Sequence, residues 1–352
     1  MSLTFFLEAP IALAPALVFL FVLDQLDSFR LVGLRAAVST LIAGGLLAVA
    51  SYFINALAMD LTGANIQNYT RYGAPIIEEL LKAAVIVYLF TRARIGFLID
   101  AAIMGFAVGT GFALVENLYY LYTFPEANIG VWIVRGFGTA MMHGGATAIF
   151  AVLAQTWTER HTKFQPALYI PGLAAAIVLH SLFNHILANP LFATGAVLLL
   201  VPAILLVAFA KSEHRIHDWL IHDYVSHEQL LATMNIEFAH SEAGRFISEI
   251  AYKFQGTDAA DIFAYMRLHT ELVLRAEKVL LAREAGTAER ITDDDAQSFR
   301  RLHELERKIG RTALMALWPH LHYSRQELAE LYELESRARN HHKRGDRESA
   351  PD

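Results

Sequence analysis

Within Ala74–Phe90, APIIEELLKAAVIVYLF, an otherwise apolar run carries Glu78, Glu79 and Lys82. A charge near the centre of a bilayer costs ~2.5–3.5 kcal/mol on insertion scales, so three within one helical turn need partners or a task. On a helix Lys82 stands i,i+4 from Glu78 and i,i+3 from Glu79 and can partly neutralise both. Two carboxylates this close in a low-dielectric site cannot both ionise easily. One shared proton then leaves one group poised as a base and the other as an acid. The pattern points to acid–base chemistry.

Three further apolar stretches carry polar groups. Glu116 and Asn117 follow Phe112 in FALVEN; Arg135, Thr139 and His143 fall on one helical face at i, i+4, i+8; His180 and Asn184 form an i,i+4 pair in HSLFNH. Successive spans alternate in direction, so residues at one depth lie early in odd spans and late in even ones. At ~1.5 Å per residue these groups converge to within one or two turns of a common level. A single site explains that convergence. Its candidate catalytic residues are Glu78, Glu79, Glu116, His143, His180 and Asn184, with Lys82, Asn117 and Arg135 in support. Each has a structural alternative: Arg135 and Glu116 as a simple ion pair, His143 or Asn184 as a hydrogen bond between packed helices. Gly105, Gly109, Gly111, Gly136, Gly138, Gly144 and Gly145 are read as allowing spans 4 and 5 to approach closely.

The elements that position these groups follow from composition. The 352 residues are 55% hydrophobic and 18% charged, which marks a membrane protein diluted by a water-soluble part. Residues 1–210 hold 9 of the 29 Lys+Arg and 10 of the 35 Asp+Glu, leaving 20 and 25, a net charge of −5, for the remainder. Neither part has the basic surplus that nucleic-acid binding needs. Cysteine is absent, which excludes disulfides, thiolate nucleophiles and Cys-ligated metals. Hydropathy predicts an all-α polytopic protein with about seven transmembrane helices, near Phe5–Leu23, Ala36–Leu57, Ala74–Phe90, Ile99–Phe124, Gly130–Trp157, Ala167–Leu187 and Pro190–Ala210. The first is read as a retained span, because no basic residue precedes it. One set of alternating loops holds Arg30, Arg35, Arg92, Arg94, Arg160, Lys163, Lys211 and Arg215, the other only Arg71. The positive-inside rule then places the N-terminus outside and the C-terminus inside, with the shared polar level in the outer half of a bacterial-type plasma membrane.

Residues 211–340 read as a cytosolic helical domain and 341–352 as a disordered tail. Ile262, Tyr265, Met266, His269, Val273, Ala276 and Leu280 keep helical spacing, as do Phe299, Leu302, Leu305, Ile309, Ala313 and Ala316. Ser324 and Glu327 form a capping-box pattern ahead of a last helix. His214, His217, His222 and His227 are read as surface histidines of amphipathic helices rather than a metal site.

The elements Glu78-Glu79-x-x-Lys82, Phe112-x-x-x-Glu116-Asn117, His143 and His180-x-x-x-Asn184 resemble the PrsW family of intramembrane proteases. That family is similar to the wider set of CAAX-prenyl-protease and bacteriocin-processing membrane enzymes. The resemblance covers about Pro75–His185. Asn184 stands where PrsW-like sequences often carry an acidic residue, as in the prenyl-protease branch, which argues against a metal-ligand role for it. The resemblance implies hydrolysis of a peptide bond in single-span, membrane-anchored proteins, and within the PrsW family first-site cleavage of an anti-sigma factor. Chemistry then assigns Glu78 as base, Glu79 or Glu116 as the group sharing its proton, His143 as a holder of water, and His180 and Asn184 as oxyanion donors. In the metal version Zn²⁺ sits on His143, His180 and a glutamate. No HExxH is present and the ligands come from separate spans, so the sequence favours the metal-free glutamate mechanism. Two other classes remain open: a non-catalytic membrane scaffold, and a proton-coupled transporter, against which the lack of an internal repeat speaks. Membrane lipid and a single-span substrate are the expected partners.

Overall fold

The computed structural model describes residues 3–27, 32–158, 164–186, 189–236, 259–287, 289–310, 313–314 and 325–348. The described residues are helical throughout, without strands. The chain divides into two compact units, Met1–Glu213 and His214–Asp352.

The first unit contains α1 (Leu3–Leu26), α2 (Leu34–Thr62), α3 (Ala74–Thr91), α4 (Leu98–Thr123), α5 (Ala140–Thr158), α6 (Ile170–Ile186) and the first part of α7 (Pro190–Ile236). Short helices and π-helical turns lead into two of them: Ile66–Asn68 and Tyr69–Gly73 precede α3, and Ile129–Ile133 and Val134–Thr139 precede α5. Six helical stretches are long and apolar enough to cross a membrane. The seventh, α3, has 18 residues of suitable length, but its three charges set it apart.

α4 is the axis of this unit. Every residue from Leu98 to Ala113 is buried, and the helix packs most extensively against α5 and α2. Two glycines make that approach possible. A Cβ on Gly109 would stand 2.2 Å from the carbonyl oxygen of His143 on α5, and one on Gly111 would stand 1.8 Å from that of Leu41 on α2. No side chain fits there. The small residues thus serve more than the span 4–span 5 contact expected of them. Gly111 seats α2, Gly136 lies against Ile11 of α1, and Gly145 lies against Val201 of α7. Close packing by small residues is the usual way to gain contact where lipid removes the hydrophobic drive between helices.

In the second unit, α8 (Ala259–Glu284), α9 (Asp293–Ile309) and α10 (Arg325–Glu348) pack their apolar stripes together. Ile262, Val273, Phe299, Leu302 and Leu334 are among the buried residues. Ala316 and Ser324 lie outside the described residues. α10 runs on to Glu348, into the segment read from sequence as a disordered tail; Glu333–Arg337 and Glu335–Arg339 i,i+4 pairs support the turns before that segment.

His227 departs from the surface reading. Its side chain is 14% exposed, with Nδ1 2.9 Å from Glu277 Oε1 and Nε2 3.1 Å from Glu327 Oε1. The side chains of His214, His217 and His222 lie outside those described. Both ring nitrogens can donate only in the imidazolium form. Burial disfavours that charge, but hydrogen bonds to Glu277 and Glu327 outweigh it and push the pKa up to about 10. Burial, reinforced by the charge of His227, pushes buried His269 down to about 3. A raised histidine pKa gives stability that is complete below the unfolded value of 6.5 and is lost as pH rises towards 10. A depressed one, as at His269, removes stability as pH falls below 6.5. His227→Gln should therefore cost about 2 kcal/mol near pH 6.5, the value of one charge-assisted hydrogen bond, since the amide can still donate to one of the two carboxylates. Hydrogen-exchange protection of α8 in the full chain measures this. The deficit should shrink as pH approaches 10; a deficit constant over that range contradicts the assignment.

Candidate active site in the membrane unit

The inward stripe of α3 consists of Pro75, Glu79, Lys82, Ala83, Ile86 and Phe90, all buried. Helical periodicity thus puts a carboxylate and an ammonium on the same face as the apolar residues that anchor the helix. Lys82 has no exposed surface, and its Nζ lies 2.6 Å from Glu79 Oε1. The same Nζ is 3.1 Å from His143 Nδ1 on α5 and 4.8 Å from the centre of the Phe112 ring on α4. Glu79 Oε1 also meets His180 Nδ1 of α6 at 2.8 Å. One buried ion pair therefore joins α3 to two neighbouring helices.

The donor and acceptor inventory sets the tautomers. An ammonium only donates, so His143 Nδ1 accepts from Lys82, and Nε2–H donates to Glu116 Oε2 at 3.0 Å. A carboxylate only accepts, so His180 donates from Nδ1 and keeps its lone pair on Nε2, 4.0 Å from Glu78 Oε2. The two imidazole rings lie 4.8 Å apart, nearly perpendicular. Behind Glu116, Arg135 Nη2 is 3.3 Å from Oε1, Arg135 Nε donates to Asn117 Oδ1 at 2.8 Å, and Asn117 Nδ2 donates to the Ala12 carbonyl at 2.7 Å. The guanidinium lies over the Tyr120 ring, 3.7 Å from its centre.

Eight of the nine residues singled out from sequence come together: Glu78, Glu79, Lys82, Glu116, Asn117, Arg135, His143 and His180. Asn184 does not. Its amide donates to the Thr70 carbonyl at 2.8 Å, and the hydroxyl of Ser181 donates to the Arg71 carbonyl at 2.7 Å. Pro75, just past this π-helical turn, has no N–H to donate back into it, and the two side chains supply donors there. Asn184 and Ser181 satisfy the π-helical turn, so the oxyanion role expected of Asn184 is not supported. The proton-sharing pair expected of Glu78 and Glu79 is also replaced: Glu79 is committed to Lys82 and His180, while Glu78 turns to Asn55 Nδ2 at 3.2 Å. Asn55 and its partner Tyr69 escaped the sequence reading. The available signal was an amide inside the apolar stretch of α2.

The set can be tested as a cation site. One ligand atom each from Glu78, His143 and His180 lie within 4.8 Å of one another. Two imidazoles and a carboxylate are a common donor set of catalytic zinc, with a further position left for water. The Glu79 carboxylate on His180 Nδ1 and the Glu116 carboxylate on His143 Nε2 match the outer carboxylates that orient metal-bound histidines, and a metal at His143 would take the Nδ1 lone pair that otherwise accepts from Lys82. Three carboxylates against Lys82 and Arg135 leave one formal negative charge in excess. These residues fit a divalent metal.

Removing one member of a buried ion pair strands the other. Lys82→Met should destabilise the membrane unit by about 3–5 kcal/mol, read as a lowered unfolding temperature in detergent, and Glu79→Gln on that background should recover much of the loss. A double variant no better than Lys82→Met contradicts the pairing.

Residues 33–209 match the family described as "PrsW family intramembrane metalloprotease". No curated protein and no solved structure matches the chain. The matched segment contains α2 to α6 and every residue of the polar cluster, and with half of the sequence covered the chain belongs to the PrsW family.

Proposed function

We propose that this protein is a metal-dependent intramembrane endopeptidase that cleaves single-span, membrane-anchored proteins. The observation that carries this reading is the convergence of Glu78, His143 and His180 from three separate helices, each imidazole backed by a carboxylate. The preference for a metal-free mechanism rested on the absence of HExxH and on ligands drawn from separate spans; the proximity of Glu78, His143 and His180 and the family description support the metal version.

Glu78, His143 and His180 would hold the ion, Zn²⁺ being the natural occupant of such a set. When bound, the metal supplies a water of lowered pKa and polarises the scissile carbonyl. Glu79 holds the His180 ring by its Nδ1 proton, and Lys82 holds Glu79 in place. Glu116 is the most open of the three carboxylates, its side chain 26% exposed against 13% for Glu78 and 1% for Glu79. That exposure suits it, from its contacts with His143 and Arg135, to take a proton from the attacking water and return it to the leaving amine. The water oxygen bonds to the carbonyl carbon, the C–N bond breaks, and that proton ends on the new amine. Arg135 holds Glu116 in place.

The loop charges support a cut in the extracytoplasmic half of the membrane with the C-terminal unit in the cytoplasm, and an anti-sigma factor is the substrate class that suits the family. The test is cleavage of single-span proteins in cells and in proteoliposomes by wild type and Glu78→Gln. Chelation should abolish cleavage, zinc should restore it, Glu78→Gln should lower it by at least about a hundredfold, and the products should map to the outer half of the substrate span. Chelator-resistant cleavage, or products cut at the cytoplasmic end, would overturn the corresponding part.

A further inference from the structure

The three carboxylates of the cluster are held in different ways. Glu79 is held by Lys82 and Glu116 by Arg135, both cations. Glu78 is held by neutral groups from α2 and from the π-helical turn before α3. Its Oε1 accepts from Asn55 Nδ2 at 3.2 Å, and Asn55 Oδ1 accepts from the Tyr69 hydroxyl at 2.9 Å. Chemistry fixes these directions. A carboxylate only accepts, so the amide nitrogen faces Glu78, the amide oxygen faces Tyr69, and the phenol must donate.

A second observation concerns the seat of the phenol. Tyr69 is buried, 8% exposed, and its ring lies over Gly73 in the same turn. A Cβ on Gly73 would stand 2.8 Å from two ring carbons, so a side chain there displaces the ring. With Oε1 occupied, Oε2 is the oxygen turned towards His180 Nε2. A cation in place of Asn55 would orient the carboxylate equally well but would compete with a metal for its charge. A neutral amide orients it and leaves the charge available.

We propose that Asn55 and Tyr69 are positioning residues that present Glu78 to the metal, Tyr69 acting through Asn55; this rests on the metal-centre reading above. The relay has an order. Tyr69 fixes the amide, the amide fixes the carboxylate, and Gly73 leaves room for the phenol.

The test is Co²⁺ binding to the full chain in detergent, with affinity from chelator competition and coordination from the cobalt absorption bands. Asn55→Leu should weaken binding about tenfold to a hundredfold, the range for outer-shell partners of metal ligands. Tyr69→Phe should weaken it less, shift the bands in the same sense, and add nothing on the Asn55→Leu background. Gly73→Ala should resemble Tyr69→Phe, whereas Asn184→Ala, which removes a structural hydrogen bond, should leave the spectrum unchanged. Tyr69→Phe deletes one oxygen and decides the matter should Asn55→Leu fail to fold. Wild-type affinity and bands in Tyr69→Phe, alongside loss of binding in Glu78→Gln, overturn the relay. Unaltered binding in Glu78→Gln overturns the metal-centre reading instead.

Discussion

The structure depends on one buried ion pair. Lys82 and Glu79 meet at 2.6 Å with almost no exposed surface, in a place where each charge alone would cost several kcal/mol in lost hydration. Attraction between them offsets that cost only with close geometry and with the remaining donors and acceptors engaged. His143 and His180 meet that condition, one at the ammonium and one at the carboxylate. The pair therefore fixes the rotation of α3 and the positions of both imidazoles at once. Two histidines with rings 4.8 Å apart are thus held by one charge pair.

The scaffold serves the same end by sparing space. Gly109 lets α4 lie against the backbone of His143, which brings the Glu116 end of α4 to the imidazole. The π-helical turns before α3 and α5 adjust how those helices enter the cluster, and such turns often mark functional sites. Their cost is orphaned carbonyls, and α6 meets it with Ser181, next to the histidine it contributes, and Asn184, one turn on. α6 thus carries both a histidine of the polar cluster and donors to the turn before a neighbouring helix. Proteolysis in a membrane needs water and charge in an apolar medium, and here the charges are paired before a substrate arrives.

Much of the site was legible because lipid makes polar residues conspicuous. Glu78, Glu79, Lys82, Glu116, Arg135, His143 and His180 stand out in apolar runs, and the depth argument brought them to one level. Rotation about each helix axis was not legible from depth, and there the reading departed from the fold. Glu78 and Glu79 are consecutive and point to different partners. Asn184 shares a face with His180 but sits one turn on, where its amide donates to the Thr70 carbonyl of the π-helical turn. Asn55 offers only a weak signal in the sequence, since a single amide in a long span is usually a packing hydrogen bond. In the second unit, periodicity gave the buried stripes of α8 and α9, while the burial of His227 depended on Glu277 and Glu327, far away in sequence and joined to it only by tertiary packing.

The central claim is that residues from α3, α5 and α6 form one metal centre. X-ray absorption at the zinc edge of the zinc-loaded, full-length protein tests it most directly. The account predicts one zinc per chain with two imidazoles in its first shell and the remaining ligands oxygen, one imidazole being lost in His180→Ala. A protein that retains no zinc, or a shell without imidazole, would contradict it.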